Sequence, residues 1–198
     1  MLSPQIKERA LAVFDGAIVM DGTGSSETGA QMTHVSTAGA VSTGTFNPGT
    51  NTTVVTEDLT GETTAGDGHI GWLAQRGHVP LGYKGDPEKT AKTFPVVAGT
   101  RYALPGDRAE RLADNTIRLL GRDSQTINSG GEKIFAEEVE LAIASHPAVA
   151  DVLVVAEASN PELVGSTAQG DRIMLSVSLL RTADGWRITG ASPVKAGS

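Results

Sequence analysis

Small residues around a single carboxylate form the first group that could do chemistry. The segment Gly24-Ser25-Ser26-Glu27-Thr28-Gly29 comes shortly after an apolar stretch from Ala17 to Met20. The apolar stretch predicts a buried strand, and the segment lies in the loop that follows it. Glycine and serine let backbone N–H groups and hydroxyls approach a phosphate closely. Glu27 could hold Mg²⁺ through one or two bonds, with waters and substrate oxygens completing the shell. Taken alone, the segment is explained as well by a solvated turn.

Three further positions carry polar groups at predicted strand ends and turns. Asp107 follows Gly106 after a strand predicted over 101–104, and its carboxylate could accept two hydrogen bonds from a ribose diol. Arg122 lies in the turn that follows a strand predicted over 117–120 and could reach the same sugar or a phosphate. Lys133 comes just after the glycine pair 130–131. Taken singly, each residue also has an ordinary explanation. Asp107 could be a turn aspartate, Arg122 could belong to a surface ion pair that contributes little stability, and Lys133 could lie at an exposed hairpin tip.

The composition excludes several other classes of site. The chain has 198 residues and a formal charge of -7. It has no cysteine, so neither a disulfide framework nor a thiolate metal site is available. No basic run or patch points to nucleic acid, and no apolar run approaches the length of a membrane span. The four histidines show no metal spacing and no neighbouring nucleophile pattern. We therefore expect no nucleic-acid partner, no transmembrane segment, a cytoplasmic location and no histidine-based catalytic site.

Local signals predict the elements that must position these residues. Ser3-Pro4 predicts a helix start, with Ile6, Ala10, Val13 and Phe14 on its apolar face and Gly16 at its end. Strands are predicted over 52–57, 70–75 and 149–156, and helical segments over 87–94 and 136–145. The alternating residues 173–179, a turn at 183–185 and the apolar pair 186 and 188 predict a β-hairpin.

Four segments occur in an order that resembles the adenylate-forming ligases, the acyl-CoA synthetase superfamily. The segment 24–29 resembles the adenine and magnesium loop of that family, and 71–90 resembles the stretch that follows it. Tyr102-Ala103-Leu104-Pro105-Gly106-Asp107-Arg108 is similar to the ribose-binding aspartate motif. The segment 121–140 resembles the hinge between the large and small domains. The residues at 105–107 and 130–133 are most similar to the corresponding segments of fatty-acyl and steroid-side-chain CoA ligases.

The resemblance implies roles for individual positions. Thr23, Gly24, Ser25 and Ser26 would lie at the nucleotide, with Ser26 on a phosphate, and Glu27 would bind Mg²⁺. Asp107 and Arg122 would hold the ribose hydroxyls. Ser124 would be the pivot of the domain rotation, and Gly131 and Lys133 would lie near the entering pantetheine arm. ATP or AMP, Mg²⁺, CoA and a fatty or steroid-type carboxylic acid are the ligands that the resemblance implies.

The sequence also departs from the pattern of the family at three points. Thr23 stands where the family usually carries an aromatic residue that stacks on adenine. The family's lysine-bearing phosphate loop has no counterpart in the chain, and Lys195 lacks the Gly-Lys context of the family's catalytic lysine. We therefore assign no catalytic residue and expect the isolated chain to be incomplete and weak or inactive.

The expected architecture is α+β, with a partial large domain over 1–121 and a small lid domain over 122–198. The first would contain a β-barrel-like subdomain, and the second a sheet and a helix, truncated or divergent after about residue 157. Ile6, Val13, Ile18 and Val19 should be exposed on the first domain. Three hypotheses stay open: an acyl-CoA synthetase, a non-catalytic remnant or subunit that docks on a chain supplying the phosphate loop, and a Thr/Gly-rich β-binding module.

Overall fold

The structure is a computed structural model that describes residues 2–129, 132–144, 149–156, 161–167, 172–182 and 185–193. It divides into two compact units, Met1–Leu120 and Gly121–Ser198. Each unit has its own strands and its own apolar core. Among the helices that the structure describes, none is long and apolar enough to span a membrane.

A seven-stranded antiparallel sheet is the main element of the first unit. Its order along the sheet is β1-β2-β3-β9-β8-β5-β4. The helices are α1 (Pro4–Val13) and α2 (Pro87–Thr93), and the strands are β1 (Val19–Ser25), β2 (Gly29–Ser36), β3 (Thr45–Pro48), β4 (Thr52–Val55), β5 (Ile70–Gln75), β6 (Val96–Val97), β7 (Thr100–Arg101), β8 (Asp107–Arg111) and β9 (Ile117–Arg122). β6 and β7 pair separately as a short ribbon. The expected α+β class is confirmed, and the described strands pair as an open sheet rather than a closed barrel.

Strands β4 and β5 are buried on both faces, because consecutive residues of a strand point to opposite sides. Val54 and Leu73 belong to a cluster with Met32, Phe46 and Ile117. The next residues, Val55 and Ala74, belong to a second cluster with Val97, Tyr102 and Leu104. The polar Thr/Gly-rich turns therefore surround a two-sided apolar core.

Helix α1 begins as predicted, since the Ser3 hydroxyl caps it and Pro4 occupies its first turn. The predicted apolar face is largely exposed, and a different face of the helix is buried. Lys7 and Leu11 are buried, whereas Ile6, Val13 and Phe14 are exposed, with Val13 74% accessible. Lys7 takes the inner position because its ammonium finds acceptors there, including the Asp21 carboxylate. The expected exposure of Ile6, Val13 and Ile18 is confirmed, and Val19 is half-buried.

In the residues that the structure describes, the second unit has a hairpin, one helix and a four-stranded antiparallel meander. After a short 3-10 turn, Asp123–Gln125, come β10 (Thr126–Ser129), β11 (Glu132–Phe135), α3 (Ala136–Ala144), β12 (Val149–Ala156), β13 (Pro161–Thr167), β14 (Arg172–Thr182) and β15 (Gly185–Pro193). Val139 and Ile143 of α3 pack with Ile127 and Val154 into its core. The predicted strand 149–156 is confirmed, as is the hairpin, in which β14 pairs with β15 from Thr182 and Gly185 onward.

Candidate functional site

The predicted buried strand over 17–20 followed by a loop is wrong in its bounds. Strand β1 runs to Ser25, Met20 is exposed, and Ala17 and Ile18 precede the strand. The polar segment continues the strand because β2 pairs with it as a hairpin, so backbone pairing rather than apolar content defines its length. The register shifts between Thr23 and Gly24, which is a bulge at the point where the candidate site begins.

The hairpin turn at 26–28 is held by hydroxyls. The Ser25 N–H donates to Thr28 Oγ1 at 3.1 Å, and the Glu27 N–H donates to Ser25 Oγ at 3.2 Å. The two hydroxyls of Ser25 and Thr28 lie 3.0 Å apart. These bonds fix the backbone on both sides of Glu27.

Gly24 must be glycine because the two strands approach each other closely there. A Cβ atom at this position would lie 2.0 Å from the carbonyl oxygen of Gly29 and 2.8 Å from its carbon. Gly29 itself has a φ of +67°, in the left-handed region that favours glycine. Both glycines are therefore explained by the hairpin, and Gly24 also leaves its outer side without a side chain.

Four of the predicted nucleotide-binding residues line one open cavity of about 500 Å³. Thr23, Gly24, Ser25 and Ser26 all lie on its wall, together with residues 22, 29, 30, 32 and 33. The lining consists of small side chains, hydroxyls, strand backbone and the larger apolar side chain of Met32. A cavity of this kind can accommodate polar oxygen atoms of a ligand.

Glu27 directly follows the lining residue Ser26, and its side chain has a defined partner. The Tyr83 hydroxyl donates to Glu27 Oε1 at 2.5 Å. This hydrogen bond lowers the pKa of Glu27 against the opposing effect of burial, and Ser25 and the charge of Lys89 lower it further. The same bond raises the pKa of Tyr83. Glu27 is therefore an anion at neutral pH.

Glu27 fits Mg²⁺ by the chemistry of its donors. Within the described residues no group of three or more His, Asp or Glu side chains could hold a metal ion together. Mg²⁺ does not require such a cage, since it is usually held by one or two carboxylates plus substrate phosphates and waters. An anionic carboxylate beside a small-residue cavity meets that requirement.

Asp107 is the first residue of β8 and follows Gly106, whose φ of +100° allows the turn before the strand. The next residue, Arg108, is 1% exposed and binds Glu57 Oε1 at 2.8 Å. Its guanidinium also lies 4.3 Å from the centre of the Trp72 ring. Because side chains alternate along a strand, Asp107 points to the side opposite Arg108. Sequence reasoning did not identify Arg108 as a buried anchor beside Asp107.

The remaining predicted residues lie in the second unit. Arg122 is exposed at the end of β9 and precedes the 3-10 turn that contains the exposed Ser124. The Arg122 carbonyl accepts from Thr126 Oγ1 at 3.4 Å. Lys133 is half-buried in β11 and pairs with Asn128. Gly131 lies outside the described residues.

Tyr83 is the main site residue that sequence reasoning missed. It belongs to the Gly82-Tyr83 segment that carried the family resemblance, but no role was assigned to it. Its partner Glu27 is 56 residues away, so no local spacing pattern could have joined the two.

Curated acyl-CoA ligases are similar to this chain in sequence. A medium-chain acyl-CoA ligase of Mycobacterium avium is 62% identical over 174 residues, which cover 86% of this chain and 32% of that ligase. A 3-oxocholest-4-en-26-oate–CoA ligase of Rhodococcus rhodochrous is 41% identical over 191 residues, covering 96% of this chain and 32% of that ligase. Over most of its length, the chain is a sequence relative of acyl-CoA ligases of the adenylate-forming superfamily. It spans about a third of the length of these curated relatives.

Solved structures of adenylate-forming ligases share the fold. NpsA of Klebsiella oxytoca, in complex with 3-hydroxyanthranilyl-AMSN, matches with a TM-score of 0.67 and 27% identity. The match covers 86% of this chain and 37% of NpsA. A benzoate CoA ligase of Burkholderia xenovorans matches with a TM-score of 0.63 and 25% identity, covering 84% of this chain and 32% of that one. No protein-family model matches the chain.

Proposed function

We propose that this chain forms the nucleotide- and magnesium-binding part of an acyl-CoA ligase. In the reaction a carboxylate attacks the α-phosphorus of ATP and expels pyrophosphate, which gives an acyl-adenylate. The thiolate of CoA then attacks the acyl carbonyl carbon and expels AMP. The observation that carries the proposal is that Thr23, Gly24, Ser25 and Ser26 line one open cavity and that the anionic Glu27 directly follows Ser26 in the chain.

The hairpin between β1 and β2 would bind the phosphates. Gly24 lets the two strands approach closely at the cavity wall, and the Ser26 hydroxyl would contact a phosphate. Glu27 would hold Mg²⁺, which when bound supplies positive charge beside the phosphates. The residues of this chain would act mainly by orienting the nucleotide and by stabilising charge.

Other roles in the proposal rest on the family resemblance. Asp107 and Arg122 would hold the ribose hydroxyls, and the structure describes them in separate units. Ser124 would be the pivot of the rotation between the two half-reactions. Gly131 and Lys133 would lie near the arm of CoA. The division into a large-domain part over 1–121 and a lid over 122–198 belongs to the same proposal.

The acid is proposed from the relatives. The Mycobacterium avium and Rhodococcus rhodochrous ligases are named for medium-chain acyl groups and for 3-oxocholest-4-en-26-oate, respectively. A fatty or steroid-type carboxylic acid is therefore the proposed substrate class. A cytoplasmic location stays a prediction from the sequence.

A second candidate function is favoured by a specific observation. Apolar side chains of the first unit are exposed close together in sequence: Leu2, Ile6, Val13, Phe14, Ile18 and Met20. Exposed apolar surface of this kind is typical of a protein interface. In this alternative the chain is a non-catalytic subunit that docks on a chain supplying the phosphate loop.

A calorimetric titration with a non-hydrolysable acyl-adenylate analogue tests the nucleotide role. The parent chain is expected to bind, and Asp107→Ala is expected to lose binding without unfolding. Asp114→Ala is the matched control, because Asp114 is a carboxylate of the same unit that bonds only its own turn at Thr116 in the contacts described. If Asp107→Ala binds as well as Asp114→Ala, the ribose role is wrong.

A further inference from the structure

The contact between Tyr83 and Glu27 joins two segments that are distant in sequence. The Tyr83 hydroxyl donates to Glu27 Oε1 at 2.5 Å, and both side chains are half-buried. A phenol donates one proton along a fixed direction of a rigid ring. The bond therefore determines where one oxygen of the Glu27 carboxylate lies.

Helix α2 holds Tyr83 from the other side. The Tyr83 N–H donates to Thr90 Oγ1 at 2.8 Å, and Thr90 Oγ1 in turn donates to the Asp86 carbonyl at 2.7 Å. The Lys89 ammonium lies 4.1 Å from the centre of the Tyr83 ring, a cation–π distance. The backbone and the ring of Tyr83 are thus both fixed by one helix.

The chain before Tyr83 packs tightly on the same helix. Gly82 has a φ of +152°, and a Cβ atom there would lie 2.5 Å from Thr90 Cγ2. Arg101 secures the preceding residues, because its guanidinium donates to the carbonyls of Pro80 at 2.7 Å and Leu81 at 2.8 Å. Segment 80–83 is therefore anchored at several points, which is what a support for another side chain requires.

A supported carboxylate binds a metal better than a freely rotating one. Groups that hydrogen-bond to ligating carboxylates orient them, and changing such groups typically costs about 10–100-fold in metal affinity or activity. The proton of Tyr83 occupies one lone-pair direction of Oε1. A carboxylate has about four such directions, so positions for a metal ion remain.

We propose that Tyr83, braced by Thr90 and Lys89 of α2, is a positioning residue that fixes the Glu27 carboxylate for Mg²⁺ binding at the nucleotide. The inference rests on the proposed function, since it needs Glu27 to be the magnesium ligand. It gives a role to the Gly82-Tyr83 and Pro87–Thr90 segments, which the proposed function leaves without one.

The test measures how much Mg²⁺ strengthens the binding of α,β-methylene-ATP to the 198-residue chain. Calorimetry gives the dissociation constant with EDTA and with saturating Mg²⁺, and the ratio of the two constants is the magnesium coupling. Tyr83→Phe removes only the hydroxyl and is expected to lower the coupling about 10-fold. Its dissociation constant in EDTA should match that of the parent.

Tyr102→Phe is the matched control. The Tyr102 hydroxyl donates to Glu62 Oε1 at 2.7 Å, so this variant loses a phenol–carboxylate bond of the same kind in the same unit. It is expected to keep the coupling of the parent. Thermal unfolding of both variants shows that each is folded, and a merely structural role for Tyr83 would lower stability while leaving the coupling unchanged.

The outcomes separate the inference from the function beneath it. If the parent shows magnesium coupling and Tyr83→Phe retains or increases it, the positioning role is overturned while the proposed function stands. If the parent binds no nucleotide, or binds it without any magnesium coupling, the proposed function fails and the inference fails with it. Loss of coupling in Tyr83→Phe and not in Tyr102→Phe supports the inference.

Discussion

The buried ion pair between Lys7 and Asp21 anchors the strand that leads to the candidate site. Lys7 is fully buried, and its ammonium donates to an Asp21 carboxylate oxygen, to the Ser42 carbonyl at 2.6 Å and to Thr43 Oγ1 at 2.9 Å. An ammonium has three protons, so these acceptors satisfy it completely. Asp21→Ala would leave the charge with two neutral acceptors.

The expected cost of Asp21→Ala follows from these contacts. Removing one partner of a buried pair costs about 3–5 kcal/mol, because the other charge stays in the interior. Two neutral acceptors remain for Lys7, and the Asp21 side chain is itself 11% exposed. We therefore expect Asp21→Ala to lower the free energy of unfolding by about 3 kcal/mol, the lower end of this range. Combining Lys7→Met with Asp21→Ala removes both charges and should restore the stability to within about 1–2 kcal/mol of the parent.

Urea unfolding, followed by tryptophan fluorescence, measures this cost. The chain has two tryptophans, and Trp72 lies in β5 of the first unit, so a Trp186→Phe background makes the signal report on that unit. The double-mutant cycle isolates the coupling between Lys7 and Asp21. An Asp21→Ala cost below about 1 kcal/mol, the usual value of an exposed ion pair, would refute the burial of this pair.

Three further predictions concern other parts of the chain. Burial raises the pKa of Glu62, but hydrogen bonds from Tyr102 and Thr53 and the charges of nearby arginines outweigh burial, so the pKa lies below 4.5. The ionised Glu62 carboxylate should therefore stabilise the folded state fully above that pH, and this stabilisation should be lost as the pH falls through the lowered pKa. Glu62→Gln should therefore flatten the acid limb of stability in urea unfolding, and an unchanged limb would contradict the shift. Gly121→Ala should destabilise the second unit by about 1–3 kcal/mol, because φ is +115° and the new Cβ would lie 1.9 Å from Glu137 Oε2; a neutral effect on its hydrogen-exchange protection would be inconsistent with this packing. Ser124→Pro, placed in a full-length relative, should impair one half-reaction more than the other in single-turnover assays, and equal loss of both would count against the hinge.

The elements that the sequence predicted well are those with local signals. Ser3-Pro4 identified the start of α1, and the strand over 70–75 and the helix at 87–94 agree with β5 and α2 to within a residue. Caps, turn residues and periodicity act over a few residues, so they can be identified without the fold.

What the sequence did not predict depends on contacts across the chain. The buried face of α1 carries Lys7, whose partner is a carboxylate 14 residues away, so the spacing of apolar residues could not identify that face. The length of β1 is set by its partner strand, which extends pairing into a polar segment. Residues 23–26 were grouped because they are adjacent, whereas the Tyr83 support of Glu27 arises only when distant segments meet.

Calorimetry of the purified chain with α,β-methylene-ATP, with Mg²⁺ and with EDTA, measures whether this chain forms a nucleotide- and magnesium-binding site. We expect that Mg²⁺ strengthens nucleotide binding to the parent and that Glu27→Gln removes this strengthening while the chain stays folded. Glu88→Gln is the matched control, since Glu88 is an exposed carboxylate in the first turn of α2. Absence of binding by the folded parent, or an equal magnesium effect in Glu27→Gln, would contradict the account.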